Sequence, residues 1–439
     1  MKSNMDTRVA EASYPLSFRQ EEAKNLGQYL KQRQSVNLIG MKRVGISNFL
    51  RFFLYHKDTV KTYIGREHQH LFMPIDLNDL VEREIYPFWT LTLKRIVDAC
   101  EASALPADTK KKVASLFLKG MQSQDLFVVV DNVRQALSLI VENDMYPTLF
   151  FLRFDRLKEA FNISFFDNLE GLYNAGHERV VFVFTSYKSI DRIFPSAKTS
   201  LSAFAQHMYI LPTTNEDMKI IYKAYIKRFN FSLSGSVEKA LFELVSGNVQ
   251  YLQIALIILN EKGRGNIKTR DGLLQALLAD ERVTLESEEL WESLSKDEKK
   301  VVLDVAKKQK IPDTEKVKNS YLWETGFIVE EGETRRIFSP LLEHYVLHFE
   351  REEQKKTQVV HLTRKEHLLF TLLESHLGEI CEREKIIEVV WPEYREFGVS
   401  DWAIDRLVAR VRVKLREQHS PYEIVTVRTR GYKLAGAKE

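Results

Sequence analysis

Cysteine is scarce in this chain of 439 residues: Cys100 and Cys381 stand far apart and form no ligand or disulfide spacing. That excludes a disulfide framework and a cysteine-based zinc ribbon, and it suits a reducing cytoplasm. Long apolar runs are missing too. No stretch reaches the roughly 18 residues of a membrane span, so no membrane partner is expected. Met1–Ala12 mixes acids and bases without an apolar block, so no signal peptide is expected either. Charge of one sign is not in excess, with 64 basic against 61 acidic residues and a net charge of +3. Metal-ligand clusters are also lacking. His68 and His70 flank Gln69 beside Glu67, but two imidazoles without a thiol fall short of a zinc site. No Ser/His/Asp or Cys/His arrangement stands out, so no catalytic residue is assigned.

What is present is length enough for about three domains. In the first half, short apolar runs alternate with helical patterns, the signature of a parallel sheet covered by helices. The expected strands are Val36–Ile39, Leu71–Leu77, Thr148–Phe154, Val180–Thr185 and Met208–Leu211. From Thr213 helical periodicity takes over in Asp217–Phe229, Val237–Leu244 and Tyr251–Leu259, which predicts a helical lid; Lys262–Asn266 reads as a loop. A third unit starts near Trp291, with helices at Lys296–Lys307 and Glu315–Thr325 and a hairpin from Gly326 to Phe338. Helix, helix, hairpin is a small winged-helix pattern. The charged stretch Arg351–Thr357 lacks apolar anchors and is the linker candidate. The expected domains are therefore 1–212 (sheet), 213–285 (lid), 286–350 (first winged helix), 351–360 (linker) and 361–439.

The last module carries the sharpest signals. Thr363 and Glu366 fit a capping box, a second helix spans Glu382–Val390, and Ser400 can cap a third, Asp401–Glu417. On that third helix Ile404, Leu407, Val408, Val411 and Leu415 recur at three- and four-residue spacing and face the core. Arg406, Arg410 and Arg416 project away from this stripe, with Arg412 at its flank. A hairpin follows from Ile424 to Leu434, turning near Thr429–Gly431. Bases cluster in the second half of the module, from Arg406 through Arg428, Arg430 and Lys433, while Leu362–Asp405 is rich in acids. Such asymmetry points to one anion-facing surface.

The order Leu362-Thr363…Glu366, Glu382-Arg383-Glu384, Val390-Trp391, Ser400-Asp401, Arg410-Val411-Arg412…Leu415, Thr426-Val427-Arg428…Gly431-Tyr432 resembles the OmpR/PhoB-type winged-helix output domain. The resemblance implies double-stranded DNA as partner, with the Asp401–Glu417 helix in the major groove. Arg410 and Arg412 would contact bases or nearby phosphates, and Arg428 would reach the minor groove. Arg383 and Trp391 match positions that hold the phosphate backbone; Arg406 and Arg430 complete the candidate set. Trp402 and Leu407 stand where the family is often polar or basic, and Pro392 and Thr429 replace glycines. Nothing ahead of the module resembles a receiver domain with a phosphorylatable aspartate.

Gly40-Met41-Lys42-Arg43-Val44-Gly45-Ile46-Ser47 sits between an expected strand and helix, in the register of a Walker A loop. Gly40, Gly45 and Ser47 match, but the phosphate-binding lysine is Ile46; Lys42 and Arg43 lend charge from other positions. The acidic strand motif is sought in Thr148–Leu157. There Leu152 and Arg153 take the places of the metal-holding and water-activating acids, leaving Asp155 as the trailing acid; a shifted register makes Asp155 the metal-holding aspartate and puts Arg156 at the catalytic position. Phe127–Asn132 looks better in isolation but directly precedes a helical pattern, Val133–Val141. In every register the acidic pair that hydrolysis needs is missing.

The surroundings resemble AAA+/STAND-type ATPases of the archaeal-ATPase and origin-recognition kind. The motifs are the lead-in Phe18-Arg19-Gln20-Glu21-Glu22, the strand end Thr185-Ser186, the lid motif Gly247-Asn248-Val249, and the Trp291–Leu341 winged helix. The expected fold class is thus α/β plus α+β: a P-loop AAA+-like parallel sheet with a helical lid, then two winged helices. A DNA-binding regulator with a non-hydrolysing ATPase-like module is the first reading. A nucleotide-switched ATPase acting on DNA is the second, and an adaptor holding protein partners the third. ATP or ADP bound without turnover, and a homo-oligomer, both stay open.

Overall fold

A computed structural model describes residues 9–436, except 66–68, 81, 158–159, 177–178, 195–204, 230–232, 262–266, 268, 333, 356–361, 392–400, 418–419 and 428–429. The chain divides into two compact units, residues 1–283 with 293–343, and residues 284–292 with 344–439.

In the first unit five strands form a parallel sheet: β1 (Ser35–Ile39), β2 (His70–Asp76), β3 (Tyr146–Leu152), β4 (Val181–Ser186) and β5 (Ala205–Tyr209). Their order is β2-β3-β4-β1-β5. Both β1 and β4 are buried along their whole length, as expected of central strands covered on two faces. The order reverses at β1, which lies between β4 and β5. The C-terminal ends of strands at such a reversal are where open α/β sheets bind ligands. The loop that leaves Ile39 emerges there, beside Ser186.

All five expected strands are present within a few residues. Phe127–Asn132 is helical, inside Leu126–Glu142. That helix, with Ile85–Ala102 and Ala107–Ser123, forms an insertion between β2 and β3. It helps bury an aromatic layer in which Phe88 meets Phe151 at 5.2 Å and Phe165 at 5.0 Å.

Helices Asn215–Phe229, Gly235–Val245, Val249–Glu261 and Arg270–Leu278 follow the sheet. The expected loop Lys262–Asn266 lies outside the described residues. Next come Lys296–Ala306, two short helices and the hairpin β6 (Ile328–Glu331) and β7 (Thr334–Ile337). The single helix expected over Glu315–Thr325 is instead Asp313–Lys318 and Tyr321–Glu324. Asn319 breaks it by turning its side-chain amide back onto the Glu315 carbonyl at 3.0 Å, a local bond that competes with helix continuation. Arg351–Lys355, read as the start of a linker, continues the helix Pro340–Lys355. Its residues are all good helix formers, and propensity outweighs the missing apolar stripe.

The second unit holds the C-terminal module: helices Arg364–Ser375, Arg383–Val390 and Asp401–Glu417 and an antiparallel sheet ordered β8-β10-β9. Its strands are β8 (Cys381–Glu382), β9 (Tyr422–Val427) and β10 (Gly431–Gly436). The expected stripe Ile404, Leu407, Val408, Val411 and Leu415 is buried with Leu369, Leu373, Ile386 and Leu434. Gly431 is sterically required, because a Cβ there would come within 2.1 Å of the Cys381 carbonyl oxygen. Among the described residues no helix is long and apolar enough to cross a membrane.

Candidate nucleic-acid interface and P-loop

In the C-terminal module the helix Asp401–Glu417 turns one face into the core and leaves Arg406 and Arg410 about a third exposed on another. Both guanidinium groups are engaged by carboxylates. Arg410 Nη1 donates to both oxygens of Glu288, at 3.1 and 2.9 Å. Arg406 Nε donates to Glu288 Oε1 at 3.2 Å, and its Nη2 lies 3.2 Å from Glu292 Oε1. These glutamates sit on the helix Glu281–Glu292, whose Leu285 packs against the module's core.

Glu366 supplies a second acidic anchor. Its carboxylate accepts the Thr363 backbone N–H at 2.7 Å, completing the expected capping box, and takes a hydrogen bond from Lys414 Nζ at 2.6 Å. Arg410 Nε is 3.4 Å from its other oxygen. Burial alone would raise the Glu366 pKa. The bonds from Lys414 and Thr363 and the charges of Lys414 and Arg410 outweigh that and hold it below the usual glutamate value. Tyr345 faces the same cluster, its phenol raised by burial and by Glu288 and Glu292.

The other candidates are placed differently. Arg412 is tied to the hairpin: Nε donates to the Ile424 carbonyl at 2.8 Å and Nη2 to the Thr426 hydroxyl at 2.7 Å. Arg383 Nη2 reaches Asp405 at 2.6 Å and the Tyr432 hydroxyl at 3.0 Å. Trp391 is fully buried in the module core, with Lys365 Nζ 5.2 Å from its ring centroid. Arg430 is exposed at the hairpin turn, and Arg428, with Pro392, Ser400 and Thr429, lies outside the described residues. Sequence reasoning missed Glu288 and Glu292. The acid-rich run Glu286–Glu292 was a visible signal, but its partners are more than a hundred residues away.

In the first unit Gly40–Ser47 joins β1 to the helix Ile46–Tyr55, with Gly45 at φ 108°. Neighbouring atoms crowd both glycines, the Ile210 carbonyl oxygen among them at 2.9 Å from a Cβ on Gly40. A Cβ on Gly40 would meet Val44 Cγ1 at 2.9 Å and Ile46 Cδ1 at 3.2 Å; one on Gly45 would meet Val249 Cγ2 at 2.6 Å. Met41 and Val44 are buried. Arg19, also buried, binds the loop from behind: Nη2 donates to the Val44 carbonyl at 3.2 Å and Nη1 to Leu211 at 3.1 Å. The Arg19 backbone N–H donates to Asp217 at 2.8 Å.

Lys42 extends over the Tyr187 ring, 5.1 Å from its centroid. Asp155 stands in the turn Phe154–Leu157 after β3. Burial raises its carboxyl pKa against the opposing charge of Lys42, then of Arg156 and Arg153. The Arg153 guanidinium pairs with Asp76, and its backbone N–H donates to the Thr185 hydroxyl at 2.8 Å. The loop therefore differs from a Walker A loop at the position of the phosphate-binding lysine. Ile46 takes the lysine's position and lies against Gly40. The helix-entry amides remain as anion-binding groups, with Lys42, Arg43 and Ser47 in the same loop. Beyond β4, Lys188 forms a buried pair with Glu298, its Nζ 2.7 and 2.6 Å from the two oxygens and 3.2 Å from the Tyr321 ring centroid.

Residues 356–434 match the family described as "Transcriptional regulatory protein, C terminal". The transcriptional regulatory protein PcoR of Escherichia coli is 39% identical over 75 residues, which are 17% of this chain and 32% of that protein. The match thus spans about a third of that relative's length. Among solved structures, the Walker-type ATPase PABY2304 of Pyrococcus abyssi aligns with 16% identity over 75% of this chain and 95% of its own, at a TM-score of 0.47. The ORC2 protein of Aeropyrum pernix aligns with 14% identity over 80% and 99%, at a TM-score of 0.43. The C-terminal module is an OmpR/PhoB-type winged helix on a mixed α/β chain.

Proposed function

We propose that this protein is a cytoplasmic DNA-binding transcriptional regulator whose sheet domain, lid and first winged helix act as a non-hydrolysing sensor or assembly module. The observation that carries the DNA half is the family match of residues 356–434 to a regulator's C-terminal domain. Two guanidinium groups on the core-free face of the Asp401–Glu417 helix support it. In this reading the helix enters the major groove, where guanidinium forks suit guanine edges and phosphates alike. Arg428 and Arg430 follow the adjacent groove from the hairpin. Arg383 and Arg412 act by fixing Tyr432 and the hairpin against the helix, so their contribution to affinity is mainly positional.

The test is binding of the full chain to a random-sequence duplex pool across a salt series. Affinity falls with salt as counterions return to the phosphates, and Arg410→Ala weakens it at every salt concentration. A chain that binds no duplex at low salt refutes the reading.

The non-hydrolysing half rests on Ile46 in the lysine position, on Val44 and Val249 against the loop glycines, and on Arg153 where an acid would activate water. Calorimetry with ADP and ATP tests it. Nucleotide binding that disappears in Ser47→Ala would favour the nucleotide-switched alternative.

A further inference from the structure

The face of the Asp401–Glu417 helix proposed to meet DNA is already occupied by carboxylates of the same compact unit. Glu288 is buried and gives both oxygens to Arg410 and one to Arg406; Glu292 takes the outer nitrogen of Arg406. The contact is built rather than incidental. Leu285, one turn before Glu288, packs against the module's hydrophobic core, and the Trp291 ring meets that of Phe349 at 6.2 Å in a tilted contact. A carboxylate offers a guanidinium the same planar pair of acceptors as a phosphate. Glu288 and Glu292 therefore stand where phosphate oxygens would stand, and the bulk of their helix excludes a duplex from the same groove-facing surface.

We propose that the Thr284–Glu292 segment is an internal DNA mimic: it competes with duplex DNA for Arg406 and Arg410, so DNA binding requires this segment to leave the winged helix. The inference rests on the DNA-binding reading, and it adds that the structure described above is the DNA-excluded state. Glu366 is not part of the competitor. It belongs to the capping box of its own module and stays with Lys414 when the segment leaves.

The experiment compares full-length wild type, Glu288→Gln with Glu292→Gln, and a control pair of the same charge change on the exposed insertion helices, Glu101→Gln with Glu142→Gln, on a random-sequence duplex pool. Neutralising the competitor is expected to tighten binding by about tenfold, the size of a partly desolvated ion-pair difference of roughly 1.4 kcal/mol. The control pair leaves affinity within about twofold, since it makes the same change of charge at exposed residues that pair with neither Arg406 nor Arg410. A second measurement needs no variant. Amide hydrogen exchange of residues 284–292 in the wild type accelerates when the duplex is added, as the segment is released.

Equal affinity of wild type and the Glu288/Glu292 variant, with Arg410→Ala still losing DNA, overturns the mimic and leaves the DNA-binding reading standing. So does a segment that stays protected in the DNA complex. If no form binds duplex even at low salt, both fall together.

Discussion

The P-loop and the C-terminal winged helix have each departed from a ligand-binding pattern, but in opposite ways. Gly40 and Gly45 are packed against Val44, Ile46 and Val249, and the loop carbonyl of Val44 is bound by the buried Arg19. On the Asp401–Glu417 helix the cations are kept and matched with carboxylates. In the proposed reading, apolar filling removes the chemistry, whereas ion pairing only masks it, because a carboxylate can be exchanged for a phosphate at small net cost. In the first unit Lys188 and Glu298 form a buried pair, whereas in the second Arg406 and Arg410 stay about a third exposed above the buried Glu288 and can change partners.

The largest effect that would sharpen this contrast comes from Lys188, whose partner Glu298 is 3% exposed. Lys188→Met leaves that carboxylate buried with only Arg192 Nη1, at 3.5 Å, as its cation, and lowers the stability of the first unit by about 3 kcal/mol or more. Adding Glu298→Leu recovers part of the loss, because a well-packed apolar pair is often no worse than a buried ion pair, while the Ser295 backbone N–H loses its capping-box acceptor. Urea unfolding of the full chain reads both. A single Lys188→Met that unfolds like wild type would mean the first unit's charges are as exchangeable as the second's.

Two glycines give the next comparison. Gly431→Ala drives a Cβ to 2.1 Å from a backbone carbonyl, and Gly45→Ala drives one to 2.6 Å from a valine methyl at a left-handed φ of 108°. Backbone yields less than a side-chain terminus, so Gly431→Ala is expected to cost about 3 kcal/mol and Gly45→Ala roughly 1–2 kcal/mol. Thermal unfolding followed separately in the two units distinguishes them. A larger loss at Gly45 would show that the closed loop, rather than the hairpin, is the rigid element.

Much of this architecture was legible in the sequence, and the exceptions share a cause. Buried parallel strands such as Val181–Ser186 read as unbroken apolar runs, and the stripe from Ile404 to Leu415 repeats at helical spacing, so both can be found locally. The capping box of Thr363 and Glu366 is equally local. The Glu288–Arg410 and Arg153–Asp76 pairs are not, because each joins residues far apart in sequence and no periodicity reports a partner. The same blindness made Arg412 look free for DNA. Its guanidinium is committed to Ile424 and Thr426 by the way the hairpin folds over the helix.

Glu366 offers a pH test of the masked surface. Its folded pKa is depressed below the unfolded value near 4.5. The stability it contributes is present above that value and is lost as pH falls through the folded pKa, since the unfolded chain binds the proton more readily in that window. Melting of the second unit should therefore drop as pH falls below 4.5, and Glu366→Gln should flatten that drop while lowering stability at neutral pH. An unchanged acid profile in Glu366→Gln would detach the carboxylate from Lys414 and Arg410.

The smallest expected effect is the one that could break the comparison. Ile46→Lys restores the missing Walker lysine to a loop that keeps both glycines and Ser47. If apolar filling has removed the site, the variant still binds no ADP in calorimetry. Val44 and Val249 continue to occupy the space above Gly40 and Gly45, and Arg153 still stands where an acid belongs. If one lysine were enough to recover ADP binding, the loop would be masked in the same sense as the recognition helix. The difference between the two regions would then be one of degree.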